Sequence, residues 1–207
     1  VLAVVLFHAD LPGLSGGFVG VDVFFVISGF LITGLLWREA STSGSVRLRA
    51  FFAARARRLL PASALVGVVS MVAAALLLPP LQVRAATLDG ITSALYVSNY
   101  WFIGNGVKYF GHQSVLSPSP FQHYWSLGVE EQFYLVWPLL IIGTAWIIRR
   151  RRKHTEKTAA TASVRPYLVL LASIAMVSWA LSVFFTYLIP PLAFFSLPTR
   201  AWQLAAG

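Results

Sequence analysis

Five apolar runs separated by blocks of arginine constrain this chain more than any other feature: residues 1–8, 21–37, 61–80, 127–148 and 167–189. The last four are each close to the ~20 residues that a helix needs to cross the hydrocarbon of a bilayer. Folding them all as core helices of one small soluble domain would leave the surface unmade. The composition agrees, with 57% hydrophobic and 11% charged residues and a mean hydropathy of +0.73. In lipid every backbone polar group must be satisfied within the segment, so such runs are read as helices. The expected fold class is therefore all-α, a polytopic transmembrane helix bundle. It is read as incomplete, with about five spanning segments and one re-entrant or interfacial segment.

The chain has no cysteine, which excludes a disulfide framework and thiolate metal ligation. Its net charge of +9 could point to nucleic acid, but the positive residues gather beside apolar runs. Arg47, Arg49, Arg55, Arg57 and Arg58 precede the third run, and Arg149 to Lys153 follow the fourth. That placement reads as membrane topology, with both blocks cytoplasmic, and not as a nucleic-acid surface. Residues 81–126 must then leave and re-enter on the outer side. The stretch 91–103 is apolar enough to tempt another crossing, which would put Arg149 to Lys153 outside. It is expected to dip into the membrane without spanning it, with Tyr96, Tyr100, Trp101 and Phe102 at interfacial depth. The chain starts without methionine inside an apolar run and stops at LAAG. The expectation is one transmembrane domain over 1–207, truncated at both ends, with no signal peptide.

On this topology His8, Asp10, Asp22, His112, His123, Glu130 and Glu131 lie outside, and the arginine cluster lies inside. Asp22 sits at the mouth of the run GGFVGVDVFFVISGFLITGLL, where an ionisable group is costly and is a functional candidate by default. His8 closes the first run two residues before Asp10. An imidazole with a carboxylate partner is the usual arrangement of a general base. An interfacial histidine bonded to a loop carbonyl is the plainer alternative. In HYWSLGVEEQFYLVWPLL, Ser126 can cap a helix with Glu130 just inside it. Helical spacing puts Glu130, Tyr134 and Trp137 on one stripe, and Glu131 about 100° away. First-turn acids that only complement the helix dipole are the alternative for both glutamates. Arg55 and Arg58, three apart, can converge on a phosphate through paired hydrogen bonds. They read equally well as an inner-face anchor or a contact for anionic lipid, with Phe51 and Phe52 dipping into the interface. The histidine spacing matches no helical ligand pair, so no metal is expected.

FH at 7–8, GGFVGVDVFFVISGFLIT, RARRLLP, YVSNYWF, HYWSLGVEEQFYLVWP and PTRAWQLAAG follow one another in an order that resembles the acyltransferase 3 family. The resemblance covers essentially the whole chain. It implies a bacterial, multi-pass inner-membrane O-acyltransferase of about ten helices acting on lipopolysaccharide, other glycans or macrolides, some members carrying an extra extracytoplasmic esterase-like domain. Carried over residue by residue, it makes His8 catalytic and Arg55 and Arg58 the paired arginines. Two positions depart from the pattern: Ala54, where many relatives have arginine, and Gln203, where glutamate is common.

The reaction so implied moves an acyl group, most simply acetyl, from acyl-CoA to a hydroxyl. His8 removes the hydroxyl proton, with an acyl-histidine as the variant. His8 and Glu130 are the candidate catalytic residues, and Asp22, Ser126, Tyr134 and Trp137 the candidate substrate-binding ones. Tyr134, Trp137 or backbone amides would stabilise the oxyanion. Arg55 and Arg58 would hold the phosphates of acetyl-CoA, a donor substrate and not a bound cofactor. The expected partners are acyl-CoA, membrane lipid and a glycan, lipid or macrolide acceptor. A proton-coupled lipid or glycan transporter, with His8 and Glu130 as a relay, is the alternative. Clustering of the acids at one face and the lack of a repeat count mildly against it.

Overall fold

The computed structural model describes residues 2–9, 16–43, 45–106, 119–153 and 164–207. Within them Phe7, His8, Arg149 and residues 151–153 are described as backbone only. The described residues form helices and no strand: α1 Leu2–His8, α2 Val19–Ser43, α3 Leu48–Leu77, α4 Pro80–Ala94, α5 Ser98–Gly104, α6 Tyr124–Lys153, α7 Arg165–Leu188, α8 Pro190–Phe195 and α9 Leu197–Ala206. Four are long and apolar enough to cross a membrane: α2, α3, the Tyr124–Ile148 part of α6, and α7. Large apolar side chains such as Leu76, Leu77, Val68, Phe30, Met176 and Phe184 lie exposed on these helices. That outward coat suits lipid and not water. The chain is a multi-pass, all-α membrane protein.

The helix bounds revise the expected runs in two places. The third run is not separate from the arginine block, because α3 continues from Leu48 through Pro61 to Leu77. A proline inside a membrane helix is tolerated where neighbouring groups take up the freed carbonyl. The stretch 91–103 is broken, α4 ending at Ala94 and α5 starting at Ser98, with Tyr96 in the left-handed region at φ 56. No continuous helix long enough to cross therefore forms over 91–103.

The chain folds as two compact units. One comprises Val1–Val46, Phe133–Leu181 and Arg200–Gly207. There α1 rests on α2, with Val4 against Gly20. A side chain at Gly29 would collide with the Leu204 carbonyl, and one at Gly207 with that of Val26. Without a hydrophobic drive between helices in lipid, such close backbone approach through small residues is what holds them together. Phe133 stacks on Trp137 at 5.5 Å, and Trp37 meets Tyr167 edge-on at 4.8 Å.

The other unit comprises Arg47–Gln132 and Ser182–Thr199. Ala74, Ala86, Phe121 and Tyr124 form its core between α3 and α4, lined by Met71, Leu78 and Leu127. The Tyr124 hydroxyl donates to the Ser63 carbonyl at 2.7 Å, which ties the start of α6 to the middle of α3. Trp125 packs on Phe194 and Phe195 at 4.8 and 5.4 Å.

Candidate functional site

Asp22 lies in the first turn of α2, where the helix dipole favours a negative charge. Two donors from α9 converge on its Oδ1: Arg200 Nη1 at 3.0 Å and Gln203 Nε2 at 2.9 Å. Arg200 and Gln203 are three apart and so share one face of α9. The Asp22 side chain keeps 34% of its exposure, whereas Gln203 is buried at 1%. Gln203 Oε1 is buried and accepts no hydrogen bond. The sequence singled out Asp22 but gave Gln203 no partner, and Arg200 was not considered.

On α6, Glu130, Tyr134 and Trp137 are all buried, in keeping with the stripe expected from helical spacing. Three expectations for this helix are corrected. Because α6 starts at Tyr124, Ser126 is not its cap but its third residue, and Ser126 Oγ donates back to the His123 carbonyl at 3.3 Å. For the same reason no acid stands in the first turn, so Glu130 and Glu131 are not dipole-complementing residues at a helix start. Trp137 cannot offer its N–H to an oxyanion, since the indole has one donor and it is given to Thr33 Oγ1 at 3.0 Å.

The arginine cluster brings a larger correction. Arg55 Nη2 lies 2.7 Å from Glu131 Oε1, with side-chain exposures of 18% and 21%. An arginine assigned to the inner face and an acid assigned to the outer face are thus direct partners, and the division of polar residues between two faces fails for this pair. The antiparallel course of α3 and α6 explains it. From the Tyr124–Ser63 bond, eight residues back along α3 and seven forward along α6 reach Arg55 and Glu131. Arg57 and Arg58 are exposed. Phe51 is buried and packs edge-on against Phe52, so it is a core residue of the protein and not an interfacial one.

His8 ends α1, and its side chain is outside the described residues, as are Asp10 and His112. His123 is exposed, its ring 4.7 Å from that of Tyr124. Among the described residues no group of three His, Cys, Asp or Glu side chains could hold a metal ion.

Sequence reasoning also missed an amide pair, Asn99 buried and Gln132 half-buried. Gln132 Nε2 donates to the Tyr96 carbonyl at 2.8 Å and to Asn99 Oδ1 at 2.9 Å. Asn99 Nδ2 donates to Gln132 Oε1 at 3.3 Å and to the Phe195 carbonyl at 3.1 Å. Gly128 leaves the room, since a side chain there would press on the Tyr96 carbonyl at 3.1 Å. The signal was present: polar residues in apolar helices are costly and so must be partnered.

Membrane-length helices with a carboxylate, guanidinium and amide clustered at the head of α2 define a polytopic membrane protein with a polar site. Residues 1–206 match the family described as Acyltransferase domain, acyltransferase 3, and the chain belongs to that family. It is 42% identical over 148 residues to the Peptidoglycan O-acetyltransferase OatA of Listeria monocytogenes, covering 71% of this chain and 23% of that protein. It is 38% identical over 176 residues to the "Putative peptidoglycan O-acetyltransferase YrhL" of Bacillus subtilis, covering 85% and 26%. The chain thus spans about a quarter of the length of these relatives. No solved structure matches it.

Proposed function

We propose that this chain is part of a membrane O-acyltransferase that moves an acyl group, most simply acetyl, from acyl-CoA to a hydroxyl of a cell-envelope glycan. The observation that carries the reading is the family match over 1–206 on a chain with four membrane-length helices. The names of its relatives favour peptidoglycan as the acceptor, and the bacterial inner membrane is the proposed location.

In this reading His8 takes the proton of the acceptor hydroxyl as its oxygen attacks the thioester carbonyl. The C–S bond then breaks, and the thiolate leaves with the proton returned by His8. General-base help is worth about 10²- to 10⁴-fold, so donors must also meet the developing oxyanion. With the Trp137 N–H committed, that role passes to Tyr134 or backbone amides. Glu130, buried on the same stripe, is the second candidate catalytic group. Arg58, exposed, would meet the donor phosphates first, and Arg55 would join by exchanging Glu131 for phosphate.

The test is transfer from radiolabelled acetyl-CoA to soluble peptidoglycan fragments by the complete protein in vesicles. His8→Ala is expected to lower the rate by at least about 100-fold. Transfer at the wild-type rate in that variant would remove the mechanism.

A further inference from the structure

The Asp22 cluster has hydrogen-bonding capacity left over. Gln203 has two amide donors and a carbonyl acceptor. Its Nε2 is fixed on Asp22 Oδ1, which sets the amide orientation, since the flipped form would turn one acceptor on another. Oε1 is left buried with nothing to accept. A buried acceptor without a donor is costly, so an unfilled one beside a partly open carboxylate marks a place for a donor from outside the fold. Both hydrogen bonds received by Asp22 end on Oδ1. Its Oδ2 accepts none from the described residues, on a side chain that keeps a third of its exposure.

Amide bond lengths place Oε1 roughly 2.2 Å from Nε2, and Nε2 is 2.9 Å from the carboxylate. With the carboxylate oxygens themselves about 2.2 Å apart, the two spare acceptors lie at most roughly 7 Å from each other. Arg200 beside Asp22 offsets its charge, which weakens the pull on a cation. What remains is a pair of acceptors, and it suits a ligand with two neighbouring O–H groups.

We infer that Gln203 Oε1 and Asp22 Oδ2 form a recognition point for paired hydroxyls of a sugar or other polyol, with Arg200 holding the carboxylate in place. This deepens the acyltransferase reading and rests on it, because it names the acceptor's hydroxyl face as what this site reads. Neither residue is a catalytic residue in this assignment; both position.

The experiment measures binding of muramidase-released, soluble peptidoglycan fragments to the complete detergent-solubilised protein by calorimetry, with acetyl transfer followed in parallel. Gln203→Lys keeps a donor for Asp22 and deletes the acceptor. Asp22→Asn replaces one carboxylate oxygen with a donor. Each is expected to weaken fragment binding by about 10-fold or more and to raise the acceptor KM with kcat little changed, while the thermal midpoint stays close to that of the wild type. If Gln203→Lys does not fold, Asp22→Asn decides the question alone. Binding within twofold of wild type in a folded variant, or no fragment binding by the wild type, overturns the inference. Weakened binding together with an absence of acetyl transfer by the wild type would keep the recognition point and remove the acyltransferase reading.

Discussion

Two glutamines, the half-buried Gln132 and the buried Gln203, sit in polar clusters of opposite character. Around Gln132 both amide donors are used, and its carbonyl accepts from Asn99, whose own two donors are spent on Gln132 and on the Phe195 carbonyl. Around Gln203 one bond is made and the carbonyl oxygen is left over. A network whose members satisfy one another rigidifies the fold. It holds the left-handed turn at Tyr96 through the Gln132 N–H that donates to the Tyr96 carbonyl. The incomplete cluster is costly as folding chemistry and useful as binding chemistry. Polarity inside a membrane protein thus has two meanings, and the count of unfilled lone pairs separates them.

The strongest challenge to this contrast is to the closed network. Asn99→Leu removes the acceptor of one Gln132 donor and the donors to Gln132 Oε1 and to the Phe195 carbonyl, and should cost about 3 kcal/mol, read as a lowered unfolding midpoint in detergent. The double variant with Gln132→Leu should lose less than the sum of the singles, because both remove one shared interaction. Gln203→Leu comes next. It removes one hydrogen bond and leaves Asp22 with Arg200, so the expected loss is about 1 kcal/mol. A loss as large as that of Asn99→Leu would mean the two clusters serve stability alike, and the contrast would collapse. Smallest is Glu131→Gln, because the Arg55 pair is partly open to solvent and worth less than about 1 kcal/mol. Its value lies in kinetics: weakening the hold of Glu131 on Arg55 should lower the KM for acetyl-CoA, and an unchanged KM would take Arg55 out of donor binding.

Much of the architecture was legible because membrane-length hydropathy is a local signal. The runs at 21–37 and 127–148 fall within α2 and α6, and the run at 167–189 overlaps α7 to its end at Leu188. Boundaries were less legible. Tyr124 and Trp125 start α6 ahead of Ser126 because they pack on Ser63, Phe194 and Phe195, partners that no window around residue 126 contains. The site was half legible. Asp22 stood out as an acid in an apolar run, but its partners lie 178 and 181 residues away. The Arg55–Glu131 pair went unseen for a related reason, since charge counting assigns sides to segments and knows nothing of helix register.

Gly29 and Gly207 let α9 lie on α2 backbone to backbone, with no side-chain thickness between them to yield. Asp22 rides on that same α2, and Gln203 immediately precedes the Leu204 carbonyl that Gly29 meets. The separation of the two helices that carry the carboxylate and the amide is therefore set by main-chain contact. In that arrangement α2 and α9 cannot draw closer without a clash of main chain on main chain, so carboxylate and amide are held as neighbours by the helices beneath them.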